Sequence, residues 1–373
     1  MSSPRKLPLD LEEEILVRVP PRSLVRFRTV CKTWNTLLNN KRFANKQLPF
    51  ARPEFMLHTD HRTYSVSVNL NNEDPTTKVR NFYFDFTKIY GTDHHTYDDC
   101  GNSDGYFFLY QPYEFRPCGV VWNPFFRQVR WIQTMVFSFN LCGMVYNGNG
   151  PDKSYNKIVG TSYCFEDDHQ GIIMFDFETN AWKSIDHAGY VAKHTREQSL
   201  RYNNVSLNGN LYWTAYNLET GRYFIRFLDL LEERVKPFCV LPCKKRNYSH
   251  SHVLAIYKGD RFSLLEHCKE TSKSKIWVTK NKISSRGDGD DVVWIKFMTI
   301  SRPSYPRFYH KFSRYMVEDN IYGKTFIMCC SNNRNGQAYV YIVRGGKCKK
   351  IKIDEVPTQS GCSFHVPSLI PFT

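Results

Sequence analysis

The chain has 373 residues, with 51 Lys and Arg against 36 Asp and Glu for a formal net charge of +15, and its 41% hydrophobic and 15% aromatic content is that of a folded, core-bearing protein rather than a disordered one. No run reaches the roughly 18 uninterrupted apolar residues of a membrane span, and the residues before Asp10 form no apolar secretion segment. The expectation is an intracellular protein of the nucleus, the cytoplasm or both, with no membrane partner.

Between Leu7 and Leu38 the sequence LPLDLEEEILVRVPPRSLVRFRTVCKTWNTLL carries helical periodicity. Leu11, Ile15, Leu16 and Val19 define one apolar stripe on a first helix opened by Pro8 and Asp10, with Glu12, Glu13 and Glu14 near the positive end of its dipole. Pro20 and Pro21 stop it. Ser23 is expected to cap a second helix bearing Leu24, Phe27 and Val30, and a third carries Cys31, Trp34, Leu37 and Leu38 up to Asn39 and Asn40. Three helices in about 32 residues cannot bury this much apolar surface among themselves, since domains below roughly 40 residues usually need a disulfide, a metal or a partner. The helices are either a cap on the rest of the chain or a docking element for another protein.

The residues Leu7, Pro8, Asp10, Leu11, Glu14, Ile15, Leu16 and Arg18, followed by Pro21, Ser23, Leu24, Arg26, Phe27, Arg28, Val30, Cys31, Lys32 and Trp34, form a dense pattern that resembles the F-box. Val19 stands where that family usually has Leu, which keeps a branched apolar side chain. The resemblance implies a helical face seated in a groove of a Skp-type adaptor, which joins a cullin and a RING protein in a ubiquitin ligase. The adaptor-binding residues it implies are Leu7, Pro8, Leu11, Ile15, Leu16, Leu24, Arg28, Val30, Cys31 and Trp34.

A further helical turn from Phe43 to Leu48 is punctuated by Pro49 and Pro53, giving an expected helical domain over 1–48, a linker over 49–53 and a β domain over 54–373. Beyond Pro53, short apolar or alternating runs separated by Gly, Asn, Asp and Pro replace helical periodicity. A four-strand unit recurs about every 50 residues, with strands read as the inner ones beginning at Tyr106, Ile158, Leu211, Phe262 and Thr325. A strand pair broken by a turn follows each, as in VVWNPFFRQVRWI from Val120. With a unit from residues 54–90 and a closing segment from Ser363 to Phe372, the fold class is mainly β with a small N-terminal α domain: three F-box helices, then a β-propeller-like domain of about six blades. A twisted pair of β-sandwiches is the structural alternative. The stretch FDFETNAWKSI, Phe175 to Ile185, resembles the end of a kelch repeat, although the Gly pair of true kelch repeats is missing, so the likeness is to a degenerate kelch.

Taken in order, DGYFFLY, VVWNPFFRQVRWI, NKIVG, FDFETNAWKSI, VSLNGNLYW, KIWVTKN and HVPSL, starting at Asp104, Val120, Asn156, Phe175, Val205, Lys275 and His365, resemble the plant F-box-associated interaction domain. That resemblance implies a β domain that captures a target protein, here unidentified, for a Skp–cullin–F-box ubiquitin ligase, with no catalysis of its own. The alternative is a glycan- or nucleic-acid-binding propeller with a helical cap.

Trp122, Trp131, Trp182, Trp213, Trp277 and Trp294 lie at apolar strand positions and read as core, while Asn123 and Asp176 read as turn formers. Partner contacts are expected in long connections: His94 and His95, Asn147 to Asp152, Glu166 to His169, and Gly287 to Asp291. The basic residues are dispersed apart from Lys244-Lys245-Arg246 and the run at Lys347 to Lys350, which argues against nucleic acid as a partner. Twelve cysteines are scattered without the spacing of a disulfide scaffold. Cys239, Cys243, His250, His252, His267 and Cys268 gather soft ligands within about 30 residues, but there is no Cys-x2-Cys pair and a core reading is preferred, so no metal and no cofactor is expected. A P-loop, a Gly-x-Ser-x-Gly elbow and a His-Glu-x-x-His pair are all missing, and the acidic turns at Asp98-Asp99 and Glu166 to Asp168 lack the alternating ligands of a calcium loop.

Overall fold

The computed structural model describes residues 7–47, 50–59, 62–82, 101–103, 106–111, 118–123, 128–133, 139–145, 157–164, 169–185, 197–217, 219–230, 232–243, 250–284, 289–301, 313–331, 336–356, 361–366 and 369. Four helices come first: α1 (Leu9–Leu16), α2 (Pro21–Phe27), α3 (Lys32–Leu38) and α4 (Lys41–Gln47). Helix α2 begins at Pro21, where a ring nitrogen without hydrogen costs no helical bond, so Ser23 lies inside the first turn and does not cap. Cys31 caps α3 instead, its Sγ accepting from the Trp34 backbone N–H at 3.4 Å. Leu16, Val17, Leu24, Leu38, Phe43 and Ala44 are buried in one cluster that continues into Tyr106, Val121, Ile158, Phe175 and Leu369 of the β region. The helices thus share a core with the remainder of the chain.

That remainder is six four-stranded antiparallel sheets. The first holds β1 (Glu54–His58), β2 (Thr63–Asn69) and β3 (Thr76–Phe82). The second holds β4 (Gly101–Ser103), β5 (Tyr106–Gln111), β6 (Cys118–Asn123) and β7 (Gln128–Gln133), and the third β8 (Phe139–Val145), β9 (Lys157–Cys164), β10 (His169–Asp176) and β11 (Ala181–Ile185). The fourth runs through β12 (Glu197–Leu207), β13 (Asn210–Asn217), β14 (Arg222–Asp229) and β15 (Arg234–Val240). The fifth comprises β16 (His250–Tyr257), β17 (Arg261–Cys268), β18 (Lys273–Thr279) and β19 (Trp294–Ser301), and the sixth β20 (Ser313–Asn320), β21 (Gly323–Ser331), β22 (Ala338–Arg344) and β23 (Lys347–Lys352). A final strand, β24 (Gly361–His365), pairs with β1 and completes the first sheet, so residues from both ends of the β region form one blade.

Strands β4, β8, β12, β16, β20 and β24 contact one another in sequence around the ring and are the innermost of their blades. The strands beginning at Tyr106, Ile158, Leu211, Phe262 and Thr325, read from sequence as inner ones, are therefore second strands. Physically they are the loudest because they are covered on both faces: β13 and β17 are buried at every interior position. Outer strands are exposed on one face, as in β19 and β23. The Asn208-Gly209 turn joining β12 to β13 has φ of 53° and 80°, the left-handed pair that closes a two-residue hairpin with the right twist, and the Asn208 side-chain amide reaches across to the Ile283 carbonyl of the fifth blade at 2.7 Å.

Of the six tryptophans read as core, Trp122 and Trp213 are buried, and Trp182, Trp277 and Trp294 half-buried. Trp182 donates its indole N–H to the Gln133 carbonyl of the second blade at 2.7 Å, stitching β11 to β7. Trp131, on the outer strand β7, keeps 48% of its surface exposed. Asp176 does form the expected turn, its Oδ1 accepting from the Glu178 and Thr179 N–H groups. Asn123 is fully buried and serves the Tyr106 hydroxyl.

Candidate adaptor-docking face

The helical unit is knitted by a few contacts that determine which side chains remain outside. Trp34 packs on Phe27 with ring centroids 5.5 Å apart and donates its indole N–H to Glu12 Oε2 at 2.8 Å. Arg28, half-buried, donates from Nη2 to the Leu38 carbonyl at 3.2 Å, and burial holds its guanidinium pKa below the usual arginine value. Lys46 of α4 bridges Glu13 and Glu14 at 3.0 and 2.7 Å, and Arg18 pairs with Glu14 at 3.0 Å. Only Asp10 and Glu12 sit in the first turn of α1; Glu13 and Glu14, expected there, fall beyond it because the helix begins at Leu9.

With its core filled by Leu16, Val17, Leu24 and Leu38, the unit still leaves Leu7, Leu9, Leu11, Ile15 and Val30 exposed at 45%, 55%, 51%, 58% and 61%. Leu7, Leu11 and Ile15 recur at four-residue spacing along α1 and its lead-in, one side of a helix. Pro8 and Cys31 are exposed as well. Of the ten residues named from sequence, Leu7, Pro8, Leu11, Ile15, Val30 and Cys31 present surface, and Arg28 and Trp34 stand half-buried behind it. Leu16 and Leu24 are at 2% and 0% exposure and offer no surface to a partner. The stripe over Leu11, Ile15, Leu16 and Val19 was too wide: α1 buries Leu16 and Val17 and turns Leu11 and Ile15 out. Leu9 is an exposed residue that the pattern overlooked, although its place one residue into the helix beside Pro8 was visible.

Among the described residues of the β region the exposed large apolar side chains are Val129, Trp131, Val240, Val293, Ile295 and Ile321, spread over several segments. Of the connections expected to read a partner, His94, His95, Asn147 to Asp152, Glu166 to Asp168 and Gly287-Asp288 lie outside the described residues. Asp290 and Asp291 are exposed, whereas Gly289 is buried with φ of 82°, its ideal Cβ position 2.1 Å from the Phe238 carbonyl oxygen. Only glycine fits there, and the contact presses the fifth-blade loop onto β15.

Among the described residues no helix is long and apolar enough to cross a membrane. Residues 5–46 match the F-box domain model, and residues 54–372 match that of the F-box associated beta propeller domain. A putative F-box protein of Arabidopsis thaliana is 52% identical over 98% of this chain and 98% of its own length. Another F-box protein from the same plant is 41% identical over 98% of this chain and 96% of its own, and the Arabidopsis thaliana protein named Suppressor of NIM1 1 is 38% identical over 98% of both. The chain belongs to the plant F-box proteins that carry an F-box-associated β-propeller.

Proposed function

We propose that Leu7, Pro8, Leu11, Ile15, Val30 and Cys31 form the contact with a Skp-type adaptor, braced from behind by Arg28 and Trp34, and that the propeller holds a target protein. The helical domain of this reading ends near residue 48 and the receptor domain starts at 54. The observation that carries it is the concentration of exposed Leu, Ile and Val on a small helical unit whose own core is already filled. Large apolar groups left outside a packed core are the usual mark of a protein-binding face, and each Leu or Ile buried there would contribute about 2 kcal/mol. An amphipathic helix laid in a groove is the fitting mode.

Membership of the F-box proteins carries the role of a non-catalytic substrate-recognition adaptor in Skp–cullin–F-box complexes. Through the adaptor, a cullin and a RING protein would bring the charged ubiquitin carrier inside the cell, and this chain would contribute proximity, raising the effective concentration of target lysines. The test is co-purification of the full chain and of residues 54–373 with a plant Skp-type adaptor at moderate salt. Capture by the full chain alone supports the reading. Capture by neither, with the full chain folded, overturns it and makes the helices a cap.

A further inference from the structure

Cys243, His252 and Glu266 come from three segments, and their potential ligand atoms all lie within 4.8 Å of one another. His252 on β16 and Glu266 on β17 are direct cross-strand partners in the fifth blade, at 2% exposure each. Cys243 arrives from the fourth blade, in the connection after β15, and is half-buried, so the cluster sits on the seam between two blades with one side toward the surface. From this geometry we infer a zinc site joining the fourth blade to the fifth, with a thiolate, an imidazole and a carboxylate as protein ligands and water in the fourth position.

Two observations support this assignment. The ligand chemistry is that of Zn²⁺: one sulfur, one nitrogen and one oxygen donor suit a borderline ion in tetrahedral geometry. Bonds of about 2.0–2.3 Å keep tetrahedral ligands roughly 3.5 Å apart, so ligand atoms lying within 4.8 Å of one another close in on binding. Next, the ligands are already oriented from outside. Trp277 donates its indole N–H to Glu266 Oε2 at 3.3 Å, Lys275 Nζ lies 3.6 Å from the same oxygen, and the Tyr223 ring rests on the His252 imidazole at 4.1 Å between centroids. Such partners hold metal ligands in place.

Of the other soft ligands nearby, His267 bonds through Nδ1 to Ser274 Oγ at 2.9 Å. The Cys239 thiol, pushed up to about 12 by burial, is engaged by the Trp294 side chain. Cys268 lies outside the cluster and gives a control.

The test uses the full chain, stripped with a chelator and titrated with Co²⁺ and then Zn²⁺. One equivalent of cobalt should bind with intense tetrahedral visible bands and a thiolate charge-transfer band in the near ultraviolet. Zinc should displace it and raise the melting temperature. Cys243→Ser should abolish the charge-transfer band, Glu266→Gln should weaken zinc by roughly tenfold or more, and Cys268→Ser should change neither. A folded wild-type chain without these bands, or a band that survives Cys243→Ser, overturns the site. A measurement independent of any variant is alkylation of Cys243 by iodoacetamide, read by mass spectrometry: zinc should slow it at least about tenfold, and an unchanged rate also overturns the proposal.

Discussion

Replacing Ile15 by Asp places a carboxylate where an isoleucine is 58% exposed and leaves the helical core untouched. Ile15→Asp and Val30→Asp should therefore keep thermal stability within about 0.5 kcal/mol while lowering adaptor affinity at least tenfold each, measured by calorimetric titration. Leu16→Ala is the opposite case: a leucine at 2% exposure is removed from the core, at a cost of about 2–5 kcal/mol in melting experiments. Sequence periodicity grouped Ile15 with Leu16 because the two fall on one broad stripe; what separates them is tertiary packing, which draws Leu16 into one core cluster with Phe43, Ala44 and strand residues. Asp176 gives a residue-scale pH dependence. Burial pushes its pKa up, but the Glu178 N–H, Lys157 at 3.1 Å and the Thr179 N–H together hold it below the ordinary aspartate value. A depressed carboxylate contributes stability above its unfolded pKa and loses it as pH falls through the folded one. Melting temperature in acid should accordingly fall less steeply in Asp176→Asn than in the wild type.

At the scale of elements, the outer strand of each blade carries an unpaired edge, the liability of every open sheet. The six outer strands answer it with charge: Lys78 and Arg80 on β3, Arg130 on β7, Lys183 on β11, Arg234 and Lys236 on β15, Lys296 on β19, and Lys347, Lys349, Lys350 and Lys352 on β23. Strand β15 adds Pro237 at a register shift, where a missing N–H interrupts any new ladder. This accounts for a share of the +15 net charge without a nucleic-acid partner. Substituting Lys347 and Lys352 together by Thr should leave the unfolding free energy within about 1 kcal/mol but raise concentration-dependent aggregation, followed by light scattering. The second strands were legible in sequence through their continuous apolar runs. The three-residue β4 was not, since so short a strand has no periodicity. The His252–Glu266 pairing was hidden for another reason: cross-strand register joins residues whose separation in sequence carries no motif.

For the molecule as a whole, the ring closes inside the first blade and along its seam with the sixth. Strand β24 lies against β1 with Phe55 opposite Phe364 and Leu57 opposite Cys362. On another flank, Arg344 of the sixth blade donates to the Asn72 carbonyl at 3.0 Å and the Leu70 carbonyl at 3.3 Å, and Asn320 reaches the Leu70 carbonyl at 3.2 Å. The six-blade count followed from the spacing of strong strands, whereas this long-range pairing left only a hint in the strand-like ending. Deleting residues 361–373 should strip β1 of its inner partner and lower the melting temperature of the propeller, observed by calorimetry, while the arginine contacts keep the first and sixth blades adjacent.

Closure by β24 also sets an order of events during synthesis. The helices leave the ribosome first, with the residues of their docking face, while the ring waits for a strand encoded more than 300 residues later. A message cut short before Gly361 would yield a chain whose first blade lacks its innermost strand and whose helices lose Leu369 from their shared core.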